Sequence, residues 1–226
     1  MRIWGLTIIA MFASVAAHAA PTVVLSDDFE GPLELNIVHP FGSFNTGEIP
    51  DWTLNNLANG GIYAPEIGAD PTFVLGDNDI GERVAYLNRA SGLFQLTDTV
   101  IESGNSFELS VLIGNRIGLS FGGTFGIFAQ DADGNTSILG QIELTDALVA
   151  EGTLDTLSLL VSAEQAMSAV GSRIGVFFNN TEATQILIDN VLLTASTAEV
   201  PLPAAAWLFG SVLAGGFVAR RRKAKA

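Results

Sequence analysis

The sequence predicts a single all-β sandwich held between two apolar segments that do not belong to it. Three observations carry that expectation. Stretches of the body alternate apolar and polar residues with a period of two, the pattern of a strand that buries one face. Gly, Asn, Asp and Pro separate these stretches at short intervals, as turns between strands require. The two ends, residues 1–19 and 200–226, combine apolar runs with basic residues in the manner of targeting segments.

Residues 1–19 place Arg2 before an apolar stretch over 3–16 and close on Ala17-His18-Ala19, a small-x-small cleavage site. They read as a cleaved secretory signal peptide. At the other end, residues 201–219 carry no charge and are followed at once by Arg220, Arg221, Arg222 and Lys223. At about 1.5 Å per residue, a helix of this length reaches roughly across a bilayer's hydrocarbon core. Because Lys and Arg stay cytoplasmic, the basic block puts everything before it outside the cytoplasm.

Between the ends, residues 20–203 suffice for one large domain with its own core. All 24 acidic residues fall in this body, against only Arg83, Arg89, Arg116 and Arg173. Such a surface repels phosphate backbones, which excludes nucleic acid as a partner, and attracts divalent cations. The chain has no cysteine and the body no lysine, so disulfides, thiolate nucleophiles and Schiff bases are excluded. The one histidine of the body, His39, stands beside Pro40, and no G-x-S-x-G pattern accompanies it.

Taken in order, strands are expected at residues 22–29, 84–88, 94–100, 106–113, 124–130, 136–144, 154–162, 173–178 and 185–193. The alternation also says which side chains face inward. Phe107, Leu109, Val111 and Ile113 share one face of their strand, Phe125, Ile127 and Ala129 one face of the next, and Ile174, Val176 and Phe178 one face of another. Asp131-Ala132-Asp133-Gly134-Asn135 supplies the residues of a tight hairpin. It departs from a calcium-binding EF-hand loop, whose glycine would be sixth rather than fourth and whose bidentate glutamate would stand where Ile142 is. Residues 163–170 are the one helical candidate, a connector, and residues 195–199 read as a linker to the tail.

The tail Val200-Pro201-Leu202-Pro203-Ala204, followed by the apolar run and the arginine block, resembles the VPLPA form of the PEP-CTERM sorting signal. That resemblance implies an exported protein recognised and processed by an exosortase, anchored first in the inner membrane with its body periplasmic and delivered to the cell surface or beyond. Pro201 and Pro203 keep their surroundings extended and out of a helix, where a protease can reach the backbone. The order Asp28-Phe29-Glu30-Gly31, Pro50-Asp51-Trp52, Ala85-Tyr86-Leu87 and Ile186-Leu187-Ile188-Asp189-Asn190-Val191 resembles jelly-roll, galactose-binding-like carbohydrate-binding modules over residues 22–194.

Two candidate sites follow. Asp189 is a carboxylate inside the apolar run ILIDNVLL, and buried it needs a partner, solvent or a metal. The jelly-roll resemblance implies that the first and last strands lie side by side, near Asp28 and Glu30, and that Glu30 and Asp189 hold a structural Ca²⁺. Sugar binding needs an aromatic face and polar groups to grip hydroxyls; Trp52, Tyr63, Arg83, Asn88 and Arg89 are the candidates, with Asn115, Arg116, Asn179 and Asn180 at a strand end or loop. Asp77-Asn78-Asp79 reads as a solvated loop, and Trp52 equally as a core plug. The expected function is non-catalytic, exopolysaccharide binding or a structural role at the cell surface. The alternatives are a glycan-active enzyme built on paired carboxylates and a purely structural matrix protein with no groove.

Overall fold

Alternation decides which side chains meet between the sheets, and the structure follows it closely. In β8 (Asn105–Asn115) the side chains of Phe107, Leu109, Val111 and Ile113 are buried, as are Phe125, Ile127 and Ala129 in β9 (Gly123–Gln130) and Ile174, Val176 and Phe178 in β12 (Arg173–Asn180). The structure is a computed structural model that describes residues 20–39, 42–65, 83–181 and 185–197. The predicted signal peptide, the motif Val200 to Ala204 with its apolar run, and Asp77 to Asp79 lie outside the described residues. Among the described residues no helix is long and apolar enough to cross a membrane.

The compact unit Ala20–Thr197 is an all-β sandwich of two sheets. The remaining strands, in chain order, are β1 (Thr22–Asp27), β2 (Ile37–His39), β3 (Gly42–Phe44), β4 (Thr53–Leu54), β5 (Gly60–Pro65), β6 (Val84–Asn88), β7 (Gly92–Val100), β10 (Thr136–Leu144), β11 (Leu154–Val161) and β13 (Gln185–Thr197). One sheet has eight strands in the order β11-β8-β13-β6-β5-β3-β2, with β1 also paired to β13; the other has five in the order β10-β9-β12-β7-β4. Every strand pair described is antiparallel.

The nine expected strands are all present, and four more lie between residues 37 and 65. Their sequence lacks a two-residue signal for physical reasons. β4 is two residues long, while β5 buries its first four residues in succession because both of its faces are covered. On the face of the large sheet away from the main core, Tyr63, Val84, Tyr86 and Leu187 pack together with Phe44.

Local connections match their chemistry. Asp131 N–H donates to the Asn135 carbonyl at 3.0 Å, and Gly134 takes φ +86, as a tight hairpin demands. The helical connector is α1 (Ala163–Ala166), continued as a 3₁₀ turn to Ala169. Ser162 Oγ accepts from Gln165 N–H while Gln165 Oε1 accepts from Ser162 N–H, a complete capping box. β13 runs three residues into the segment read as a linker, because Ala195, Ser196 and Thr197 are paired with Phe107, Ser106 and Asn105 of β8.

One line of aromatic rings crosses the interior. Phe29 and Trp52 lie 5.8 Å apart between centroids, Trp52 and Phe178 5.8 Å, and Phe178 and Phe125 6.2 Å. Trp52 Nε1–H donates to Asp27 Oδ2 at 2.7 Å, and Asp27 Oδ1 accepts from Phe29 N–H at 2.8 Å. Asp27 ends β1 in the large sheet and Trp52 leads into β4 in the small one, so this bond fastens one sheet to the other. Trp52→Ala is expected to cost about 3–5 kcal/mol of stability through the cavity it leaves. Trp52→Phe should cost less, since it loses chiefly the bond to Asp27. Urea unfolding of the two variants checks the order, and equal midpoints for wild type and Trp52→Ala would contradict it.

Candidate functional site

The outward positions of the five-stranded sheet follow directly from its inward ones. If Phe125 and Ile127 point in, Gly126 and Phe128 point out. If Val176 and Phe178 point in, Gly175, Phe177 and Asn179 point out. Cross-strand register then sets their neighbours. Phe177 stands opposite Gly126 on β9 and Phe94 on β7, and Gly175 stands opposite Phe128 on β9 and Leu96 on β7.

Glycine and phenylalanine are thus paired twice, in opposite order, on adjacent strands. A Cβ on Gly126 would meet the Phe177 ring at 2.8 Å, and one on Gly175 would overlap the ring of Phe128. Each ring therefore lies across its glycine rather than standing up from the sheet. Their centroids are 6.5 Å apart and their planes cross at 59°. Phe94 is 38% exposed beside them, while Phe128 is only 7% exposed and forms the floor.

These rings line an open groove of about 610 Å³. At about 3.3 Å per residue and 4.8 Å between strands, the outer face from Arg173 to Asn179 is about 20 Å long, and from β10 to β7 about 14 Å wide. At one end two amides converge over Gly92, where an added Cβ would meet Asn179 Oδ1 at 2.8 Å and Asn55 Nδ2 at 2.9 Å. Asn55 is fixed by accepting from Gly92 N–H through Oδ1 at 2.6 Å and by donating its own N–H to the Gly92 carbonyl at 3.0 Å. At the other end lie Gln130 and Thr136. Among the described residues, those lining the groove include no acid, no base and no tyrosine.

Charges gather at the rim. Arg173 lies 3.8 Å from Asp98 and donates to Gln130 Oε1 at 3.4 Å. In the adjoining hairpin, the side-chain amide of Asn135, aided by its backbone N–H, holds the Asp131 carboxyl below the usual aspartate range. In the second cluster burial pushes the Tyr86 hydroxyl up, although its bond with Thr46 pulls the other way. That hydroxyl also donates to the Asn45 carbonyl at 2.6 Å.

Of the residues expected to bind sugar, only Asn179 lines this groove. Trp52 is enclosed in the core, 8% exposed, and its N–H is spent on Asp27. Tyr63 is buried in the second cluster. Arg83 Nη1 donates to the carbonyls of Gly31 and Leu33, each at 2.8 Å. Asn88 ends the same strand, followed by Arg89 at φ +43, so they stand at the far end of β6 from Arg83. Asn115 is buried against Asp146 and Val149, Asn180 against Leu87, and Arg116 donates to Gln185. Phe94, Phe128, Phe177 and Asn55 escaped the sequence reading. The signal was there: two strands, each with a glycine and a phenylalanine two residues apart on the face that alternation assigns to solvent.

The first and last strands do lie side by side, with Asp27 opposite Val191. β13 changes partner along its length, pairing with β6 through Ile188 and with β1 from Val191, and the irregularity between them holds Asn190 at φ +48. Asp189 sits at this junction, 1% exposed, with Oδ1 accepting from Asn190 N–H at 2.7 Å. Ile188 pairs with Ala85, which sets Asp189 alongside Val84; Glu30 Oε1 accepts from the neighbouring Arg83 N–H at 2.8 Å. Asp28 Oδ1 is engaged by Glu30 N–H at 3.2 Å. Among the described residues no three His, Cys, Asp or Glu side chains converge, so a hard cation here would draw on two carboxylates and on backbone carbonyls.

A protein-family model described as HpiC1-like, HpiC1 cyclase, matches residues 20–194. No curated protein matches the sequence. Among solved structures, the chain is similar to the tandem CBM22-1-CBM22-2 domain of Paenibacillus barcinonensis Xyn10C, at 17% identity and a TM-score of 0.51, over 84% of this chain and 50% of that one. It therefore spans half of that tandem. The CBM22-1 xylan-binding domain of the same enzyme aligns over its whole length and 81% of this chain, with a TM-score of 0.50 and 17% identity. These likenesses establish the fold alone, a two-sheet β-sandwich shared with those domains.

The groove's shape depends on the absent Cβ atoms. Gly175→Ala should force the Phe128 ring off the sheet and cost about 1–3 kcal/mol through overpacking. Denaturant unfolding checks this, and an unchanged midpoint would mean that the ring does not lie across that glycine.

Proposed function

The chain belongs to the HpiC1-like family, and from its groove we propose that it is an exported binding protein that holds a polysaccharide chain on the five-stranded sheet. The observation that carries this reading is the groove itself: aromatic rings folded over glycines as a floor, amides converging at one end, and no titrating group among the described residues that line it. A sugar ring has an apolar face that stacks on an aromatic ring and a hydroxyl edge that amides grip from both donor and acceptor sides. Asn55 and Asn179 would take the hydroxyls, with Gln130 and Thr136 at the far end. The xylan-binding domain of similar fold supports the choice of ligand class.

Glycan hydrolysis needs a pair of carboxylates across the scissile bond. The groove lining offers amides and hydroxyls instead, which supports binding over turnover. The groove likewise speaks against a matrix protein with a featureless surface. A ring-closing enzyme is the second reading. The family model's own description favours it, and an apolar floor would suit a flat hydrocarbon substrate. The two readings part on whether a glycan is retained unchanged.

Delivery rests on the two ends of the sequence. We propose that residues 1–19 direct export and that Val200 to Ala204, with the following apolar run and basic block, present the precursor to an exosortase, which leaves the body at the cell surface or outside it. At the strand junction, Glu30 and Asp189 would hold a structural Ca²⁺, with Asp28 beside them. Bound there, the ion would neutralise the buried Asp189 carboxylate and tie β1 to β6 through β13. It would take no part in the groove, which lies on the other sheet.

Retention on polysaccharide in affinity electrophoresis tests the groove. Phe177→Ala should weaken binding by at least about tenfold, or about 1.4 kcal/mol, with the unfolding midpoint little changed because that ring is partly exposed. Undiminished binding by this variant would move the site elsewhere. For the metal, excess chelator should lower the melting temperature while leaving glycan retention at 25 °C intact, and a melting curve indifferent to chelator and to added calcium would remove the ion.

A further inference from the structure

The groove's floor carries no charge, whereas its surroundings carry almost one sign only. Asp98 shares the outer face of β7 with Phe94 and Leu96, and Glu143 stands opposite Thr124 on the same face of the sheet. Asp131 and Asp133 occupy the hairpin between Gln130 and Thr136, two residues of the groove's end. Each of these four carboxylates is exposed or close to solvent, and Asp131 remains ionised below the usual aspartate range.

Most of the body's arginines lie away from them. Arg83 is bound to the carbonyls of Gly31 and Leu33, Arg116 to Gln185, and Arg89 follows β6 in the other sheet. Arg173 stands at this face, where it is shared between Asp98 and Gln130. A ligand bearing carboxylates along its chain would therefore meet repulsion from this rim, where four carboxylates outnumber the one guanidinium of Arg173, itself held by Asp98 and Gln130.

We propose that the groove selects a neutral glycan and excludes polyuronates, with Asp98 competing for the Arg173 guanidinium that a uronate would need on this face. This rests on the groove being the binding site and names the class of chain it takes. A neutral chain brings no charge to be repelled, and its apolar ring faces suit the phenylalanines of the floor. Its affinity should then hardly depend on salt, while any polyuronate binding should emerge only as screening shortens the reach of the rim charges, from about 30 Å at 0.01 M to about 3 Å at 1 M.

Affinity electrophoresis of the full chain in gels containing neutral xylan, neutral galactan or polygalacturonate, run at low and high salt, tests the proposal. Retention by at least one neutral glycan at both salt concentrations, with none by polygalacturonate at low salt, is the expected result. Asp98→Asn should release Arg173 and raise retention on polygalacturonate by at least about fivefold, and Arg173→Ala in that background should abolish the gain. Polygalacturonate held by the wild type at low salt, and lost in Phe177→Ala, would overturn the selectivity while leaving the groove as the site. Retention by none of the three would overturn the groove reading, and the selectivity with it.

Discussion

The bond between Trp52 and Asp27 is the constraint on which the rest depends. Asp27 closes a strand of the large sheet, and Trp52 stands at the entrance to the short edge strand of the small one. Their contact seats the indole between Phe29 and Phe178 and continues through Phe178 to Phe125. A buried indole needs an acceptor, and a carboxylate partly removed from water needs donors; each supplies what the other lacks. With that line of rings in place, β9 and β12 are held at a fixed depth with Phe125 and Phe178 inward, and their next residues are obliged to point the other way.

That obligation makes the groove. The strands that fill the core with Phe125, Ile127, Val176 and Phe178 present Gly126, Phe128, Gly175 and Phe177 on the far face. A phenylalanine beside a side chain on the next strand would stand upright; beside a glycine it can fold down onto the backbone. The core therefore sets the position of the strands, the register sets which ring meets which glycine, and the missing Cβ atoms set the tilt of the rings. Stability and recognition are two faces of the same two strands.

Most of the sandwich was legible because half-buried strands leave a period-two trace, and the inward residues of β8, β9 and β12 could be named one by one. The strands between residues 37 and 65 were not legible. Some are only two or three residues long, and β5 is covered on both sides, which erases the alternation. The partner exchange of β13, where Asp189 meets the start of β6 and the end of β1, was visible only as a carboxylate out of place in an apolar run. For the groove, aromatic content misled: Trp52 and Tyr63 are conspicuous in the sequence, yet a tryptophan whose N–H has an acceptor and a tyrosine packed with Val84, Tyr86 and Leu187 belong to cores. Phe128 and Phe177 became meaningful only through register, which places a glycine under each of them and which no single strand reveals.

The outer face of the five-stranded sheet is where we propose that this protein meets its ligand. Titrating isotopically labelled protein with a soluble neutral xylan oligosaccharide, and following backbone and side-chain amide shifts, locates that face residue by residue. Shifts should concentrate at Asn55, Phe94, Phe177 and Asn179, with the amides around Tyr63, Arg83 and Asn88 unmoved. Shifts centred on Tyr63 and Arg83, or an unchanged spectrum at saturating oligosaccharide, would contradict it.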